Sequence, residues 1–226
     1  MSLTQDTVND KITVLCEVKA MVHKDDTREK LLACAKTEFL ECGYQKASLR
    51  HICKEAGVTT GALYFFFKDK ADLYETLVHD FASEMMEMLK NHTTQENQMY
   101  QQTFQYEKDF DIAFGQQLIS AYYAHQDIGQ LLIHCSQGTP YEHYFDQIID
   151  FLEEHNRKVI SHLTGISQSV FNECTMHWLS HLQVEAFLHV LSHDFSEEKA
   201  LAQIEIVVTF LRGGFNALMQ EALQRK

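Results

Sequence analysis

Two stretches of this 226-residue chain gather side chains able to do chemistry. Residues 61–74 read GALYFFFKDKADLY, with Tyr64, Phe65, Phe66 and Phe67 in a row ahead of Lys68 and Lys70. In a helix starting at Thr59, Leu63 and Phe67 share a face and suit a core, while Tyr64 points about 100° away. The second stretch places His177, His181, Glu185 and His189 at steps of four, and an HxxxH pair on one helix can chelate a metal. His177 and His189 lie about 18 Å apart along a helix axis and cannot share an ion. Each neighbouring pair would need ligands from elsewhere, so the ladder reads as a polar helix edge and neither metal nor cofactor is expected. A helical metal-dependent enzyme or metal sensor built on these histidines is the rival reading. No paired catalytic carboxylates, nucleophile motif or phosphate-binding glycine loop supports an enzyme.

The elements that must position these groups are helices. With one proline and nine glycines, apolar residues recur at three and four rather than two, which predicts an all-α chain. Leu31, Leu32, Ala35 and Phe39 form the stripe of a helix opened by Asp26 or Thr27 and ended by Gly43. Ser48 caps a short helix through Glu55; Ala56-Gly57-Val58 turns; Thr59 caps the next. Asp69, with Asp72 three residues on, opens a long helix to about Lys90. Thr93 to Gln98 is expected to be a polar loop, followed by one or two helices between Met99 and Cys135. Thr139-Pro140-Tyr141-Glu142 predicts a helix start, running to His162 and stopping at Gly165. Ser167 restarts a helix to about Ser192, and Asp194 or Ser196 opens the last one, to about Leu223.

Two short helices at 48–55 and 59–66, joined by a glycine turn, have the dimensions of a helix-turn-helix, which holds its second helix in the DNA major groove. The stretch LLACAKTEFLECGYQKASLRHICKEAGVTTGALYFFFKDKADLY resembles the DNA-binding domain of the TetR family of transcriptional regulators nearly position for position. The resemblance implies that Tyr64, Lys68 and Lys70 meet the phosphate backbone. Base readout would fall to Thr59, Thr60, Gly61 and Arg50, with Ser48 and His51 beside them. Arg50-His51 is expected to be an exposed basic pair with little structural purpose. Phe66 stands where family members commonly carry histidine, and packing is the favoured role for its ring.

Charge divides the chain near residue 70. Residues 24–70 carry nine Lys/Arg against seven Asp/Glu, and residues 71–226 carry eight against 22, within a net charge of −13. The domains expected are an N-terminal extension at 1–23, a helix-turn-helix domain at 24–70 and a larger helical ligand-binding and dimerisation domain at 71–226. Val8, Ile12, Leu15, Lys19 and Val22 outline a weak amphipathic helix in the extension, unless Met21 is the natural start.

In TetR-like proteins the aromatic and Met-rich region between residues 75 and 165 surrounds a ligand cavity. The resemblance therefore implies an apolar effector held by Phe81, Met85, Phe104, Phe114, Tyr122, Tyr123 and Phe145, with His125 and His134 able to orient a polar group. Leu201, Ile204, Val208, Leu211, Phe215, Leu218 and Ala222 form a partner-helix stripe. Gly213-Gly214 within it suits the close approach of a neighbouring helix. Stripe and resemblance point to a homodimer through the last two helices (about 167–223), and hence to a palindromic operator.

No apolar run reaches the length of a membrane span and no export signal is visible, so a soluble cytoplasmic location is expected. The six cysteines show no paired spacing and read as thiols. The reading is a non-enzymatic, ligand-responsive transcriptional regulator, acting as a repressor.

Overall fold

The computed structural model describes residues 5–103, 108–162 and 170–224, with side chains described from residue 24 and not for 100–107 or 162–169. The described residues form nine helices: α1 (Gln5–Lys46), α2 (Leu49–Glu55), α3 (Thr60–Phe66), α4 (Lys70–Thr103), α5 (Lys108–Ala124), α6 (Gln126–His134), α7 (Tyr144–His162), α8 (Glu173–Leu191) and α9 (Glu197–Gln224). They divide into two compact units, one of residues 1–78 with 130–140, the other of residues 79–129 with 141–226.

In the first unit the α1 stripe Leu31, Ala35 and Phe39 is buried with Ile52 and Cys53 of α2, Leu63 of α3 and Leu73, Tyr74 and Val78 of α4. The Phe39 and Tyr74 rings meet edge to face at 5.4 Å. Residues 130–140 belong here too. Leu131 and Leu132 are buried, and the hydroxyl of fully buried Tyr74 donates to the Leu131 carbonyl at 2.8 Å.

Local chemistry explains the element ends. Ser48 Oγ accepts from His51 N–H at the start of α2, and Thr59 Oγ1 accepts from Ala62 N–H at the start of α3. Gly57, at φ 68°, provides the left-handed residue of the turn between them. At the head of α4, Asp69 Oδ1 accepts from Asp72 N–H, as a helix cap there requires, while Asp72 Oδ2 reaches one residue past the cap to accept from Lys68 N–H. Gly43 breaks the helical dihedrals (φ 74°, ψ 157°), yet helix hydrogen bonding resumes to Lys46.

The structure differs from expectation in three places. Residues 93–98 are not a loop: α4 continues through them to Thr103. The Thr93 and Thr94 hydroxyls both donate to the Lys90 carbonyl, and Thr93 and Glu96 are buried. Thr139 does not cap a helix either. Its hydroxyl donates to the Ser136 carbonyl, residues 141–143 form turns, and α7 starts at Tyr144. The helix expected from Ser167 begins at Glu173, capped by Asn172, whose side chain accepts from Thr175 N–H. Ser167 itself and the expected stop at Gly165 lie outside the described residues.

The stripe on α9 packs inside the chain. Ile204 is buried, and a Cβ added at Gly115 of α5 would stand 3.0 Å from Ile204 and 3.4 Å from Val208, so Gly115 permits the close approach of α5 to α9. Phe215 and Leu218 pack with Phe171, Met176 and Ala222. The large apolar groups this leaves exposed are Ile206, Phe210, the latter 73% exposed, and Leu223 on α9, with Trp178 on α8. Gly213 and Gly214 face open space in this chain, since a Cβ at either would meet nothing within 4 Å. Among the described residues, no helix is long and apolar enough to cross a membrane. Cys34, Cys42, Cys53, Cys135 and Cys174 are thiols.

Candidate nucleic-acid interface and the helical body

Helix α3 is two-faced. Leu63 and Phe67 are buried, whereas Thr59, Thr60, Gly61, Tyr64 (58% exposed) and Phe65 (65% exposed) face outward. Phe67 follows the last helical turn in an extended conformation, and its N–H donates to the Leu63 carbonyl. Phe66 is half-buried between its neighbours, with ring centroids 5.0 Å from Phe65 and 6.4 Å from Phe67, as a packing role requires. Phe65, which the sequence reading left without a role, is the most exposed large apolar residue of the helix, with Lys24 Nζ 5.0 Å from its ring centre. A Cβ at Gly61 would touch only the Thr59 hydroxyl at 3.7 Å, so nothing within the chain requires glycine there.

The polar groups around α3 separate into free and engaged ones. Arg50 and Lys68 are exposed. His51 has a structural purpose after all: its Nδ1 lies 2.6 Å from Oε2 of buried Glu38, whose Oε1 accepts from Ser48 N–H at 2.9 Å. The Ser48 amide, aided by His51, holds the Glu38 carboxyl below the usual carboxylate range. Lys70, expected beside the DNA strand, instead turns back onto the end of α1. Its ammonium donates to the carbonyls of Tyr44 (2.7 Å), Gln45 (3.2 Å) and Ala47 (3.2 Å) and sits 4.6 Å from the Tyr44 ring centre. All three of its donors are engaged, and the terminal carbonyls of a helix are where a cation is most useful.

The expected effector residues of the second unit differ in burial and in partners. Phe81 and Tyr122 are buried, Met85, Phe114, Tyr123 and Phe145 are half-buried, and Phe104 lies outside the described residues. Phe81 lies 6.1 Å from the His125 ring, and Phe145 meets buried Tyr144, whose hydroxyl donates to the Ala82 carbonyl. Tyr122 packs over Gly129 so closely that a Cβ there would fall 2.5 Å from two ring atoms. Tyr123 donates to the Phe195 carbonyl at 2.8 Å. Phe114 stacks on His92, with ring centroids 3.9 Å apart. His125 and His134 are exposed.

His92 belongs to a buried charged network that sequence reasoning missed. Arg212 of α9 pairs through Nη2 with Glu96 of α4 and through Nε with Asp111 of α5. His92 Nε2 stands 3.0 Å from Asp111 Oδ1, and His155 Nε2 of α7 stands 2.8 Å from Glu96 Oε2. Asn97 donates to His155 Nδ1 at 3.3 Å, which suits the tautomer with its proton on Nε2. Burial works to raise the Glu96 pKa, but the hydrogen bond from His155 and the charge of Arg212 outweigh it and leave the carboxyl below its ordinary range. Four helices are thereby tied through one guanidinium and one carboxylate. A signal existed: Val78, Ala82, Met85, Leu89, Thr93 and Glu96 keep one helical stripe straight through the supposed loop, if polar side chains are allowed into the core.

The histidine ladder is divided. His177 Nδ1 pairs with Glu153 Oε2 at 2.9 Å, while His189 faces the other way along the chain, with its Nε2 3.1 Å from Nε2 of His193. Among the described residues, no group of three or more His, Cys, Asp or Glu could hold a metal ion.

Residues 31–77 match the family described as bacterial regulatory proteins, tetR family. The chain spans about a quarter of the length of the curated relatives it matches. Over 53 residues it is 43% identical to HTH-type transcriptional repressor BepR of Brucella suis biovar 1 (strain 1330), covering 24% of this chain and 25% of that protein. Beyond that module the likeness is one of fold. NalD, the secondary repressor of the MexAB-OprM multidrug efflux pump in Pseudomonas aeruginosa, superposes with a TM-score of 0.53 at 17% identity, over 81% of this chain and 94% of that one. A transcriptional regulator of the TerR/AcrR family from Aquifex aeolicus VF5 superposes at 0.52 and 16% identity, over 85% and 99%. Residues 31–77, where the sequence match and the helix-turn-helix geometry coincide, are a helix-turn-helix DNA-binding domain of the tetR family of bacterial regulatory proteins.

Proposed function

We propose that this chain is a DNA-binding transcriptional regulator, a repressor rather than an enzyme, that binds a palindromic operator as a homodimer and is released by a small apolar ligand. The observation that carries the reading is the outward face of α3, where Thr59, Thr60, Gly61, Tyr64 and Phe65 are exposed on a helix whose other face is locked into the core. A glycine with no internal reason to be glycine suits the close approach of a nucleic-acid backbone or base edge. Tyr64 and Lys68 would position the helix on phosphates, and Thr59, Thr60 and Arg50 would read base edges. Lys70 would support this surface from behind.

Dimerisation rests on Trp178, Ile206 and Phe210, large apolar groups left uncovered on α8 and α9, and on the open Gly213-Gly214 pair against which a second copy's helix could lie. The effector reading draws on the aromatic and Met supply of the second unit. NalD and BepR, repressors by name, support the direction of control. A ligand that prefers one arrangement of the body, with about 1–3 kcal/mol of coupling, would change operator affinity roughly 5- to 150-fold.

Selection of bound sequences from random duplex DNA, with and without lipophilic compounds, tests the reading. Enrichment of an inverted repeat that the compound reverses is expected. Equal binding to every duplex at physiological salt would overturn it.

A further inference from the structure

We propose that His189 and His193 form a two-imidazole site for a divalent transition-metal ion of right-angle coordination, Cu²⁺ or Ni²⁺ before Zn²⁺. The two Nε2 atoms lie 3.1 Å apart on exposed side chains at the end of α8. With metal–nitrogen bonds of about 2.1 Å, that separation subtends about 95° at a shared ion. A tetrahedral ion would need the nitrogens about 3.4 Å apart at the same bond length, so the spacing favours square-planar or octahedral ions.

Ring placement separates a chelating pair from a simple hydrogen bond. A head-on N–H···N contact of this length would hold the imidazole centroids about 5.5 Å apart, because each nitrogen sits about 1.2 Å from its ring centre. Two lone pairs aimed at a common ion would hold them about 4.9 Å apart with the same ring dimension. The observed separation is 4.6 Å, at an interplanar angle of 85°.

The pair is also held in place before any ion arrives. His193 follows the helix, and its ring stacks on Phe195 at 4.9 Å and 23°. Phe195 is fixed from three sides: its N–H donates to the His193 carbonyl, its carbonyl accepts from the Tyr123 hydroxyl, and Lys199 Nζ stands 4.2 Å from its ring centre. On the other flank, Ser192 closes the helix, its hydroxyl donating to the His189 carbonyl at 2.8 Å. Such support lowers the ordering cost of chelation. Solvent completes the coordination.

The test uses the full-length protein titrated with CuSO₄, followed by calorimetry and by electron paramagnetic resonance. One equivalent showing hyperfine splitting from two equivalent nitrogens is expected, with affinity falling at least tenfold in both His189→Ala and His193→Ala. His177→Ala should leave the titration unchanged. Phe195→Leu, which keeps both imidazoles but removes the stack, should weaken binding without abolishing the two-nitrogen signature. Circular dichroism melts of each variant confirm that the helices remain. Copper binding unchanged in His189→Ala and His193→Ala, or the absence of a two-nitrogen signal from the folded parent protein, would overturn the proposal.

Discussion

The N-terminal module and the helical body solve opposite problems with polar side chains. In the module, charged and hydroxyl groups sit at helix ends and on the surface: Ser48, Thr59, Asp69 and Asp72 cap, Lys70 closes α1, and Arg50 and Lys68 face solvent. In the body, Glu96, Asp111, His155 and Arg212 are gathered into the core between helices. A capping group declares itself by its place in the sequence, because it acts on its own helix end. A buried ion pair does not, because its partner lies a hundred or so residues away.

The largest effect expected from this contrast is at Arg212. Arg212→Ala leaves Glu96 and Asp111 buried without their cation, and urea denaturation should show a loss of about 3–5 kcal/mol. Arg50→Ala in the module should stay within about 0.5 kcal/mol of the parent. A loss below about 1 kcal/mol at Arg212 would break the comparison, since the network would then not be a buried one in solution.

Glycines sharpen it next. Gly129→Ala forces a methyl into the Tyr122 ring and should destabilise by about 1–3 kcal/mol, read as a lowered Tm. Gly61→Ala has room, should leave stability within about 1 kcal/mol, and should instead weaken operator binding.

The two lysines of the opening stretch are a finer test. Lys70→Met should lose about 1–2 kcal/mol of stability, because three carbonyls lose their donor. Lys68→Met should leave the melting curve alone and reduce the salt dependence of DNA binding by about one unit of slope. Equal effects of the two on DNA binding, with no stability change at Lys70, would return Lys70 to the phosphate surface.

The smallest effect is one of pH. Because the Glu96 carboxyl is depressed in the folded state, its stabilisation is complete above the ordinary glutamate range and is lost as pH falls through its lower folded value. Glu96→Gln should therefore flatten the acid limb of a Tm-against-pH curve without moving the neutral plateau's shape. An unchanged acid limb would mean that another carboxylate sets it.

Legibility in the sequence followed the same division. The α2–turn–α3 unit, the burial of Leu63 and Phe67 and the Asp69–Asp72 cap were all readable because each depends on residues within four positions. What misled was treating polarity as a sign of exposure. Thr93 to Gln98 reads as a loop because it is hydrophilic, although it carries the stripe that buries Glu96. The α9 stripe was correctly periodic, but period alone does not say whether the covering helix belongs to the same chain; Gly115, ninety residues earlier, supplies the cover. Lys70 was misplaced because a charge's destination, solvent or carbonyl, depends on where α1 ends.

The first unit is assembled from two separated pieces of chain, and synthesis on the ribosome must deal with that order. Residues 1–78 emerge first, but Leu131 and Leu132, which complete their core, are made only after residues 79–129. At about 5–20 residues per second those 51 residues occupy roughly 3–10 s, during which the Tyr74 hydroxyl lacks its acceptor and an apolar surface stays open to chaperones and proteases. A chain that stops short of residue 130 therefore leaves the helix-turn-helix without its keystone.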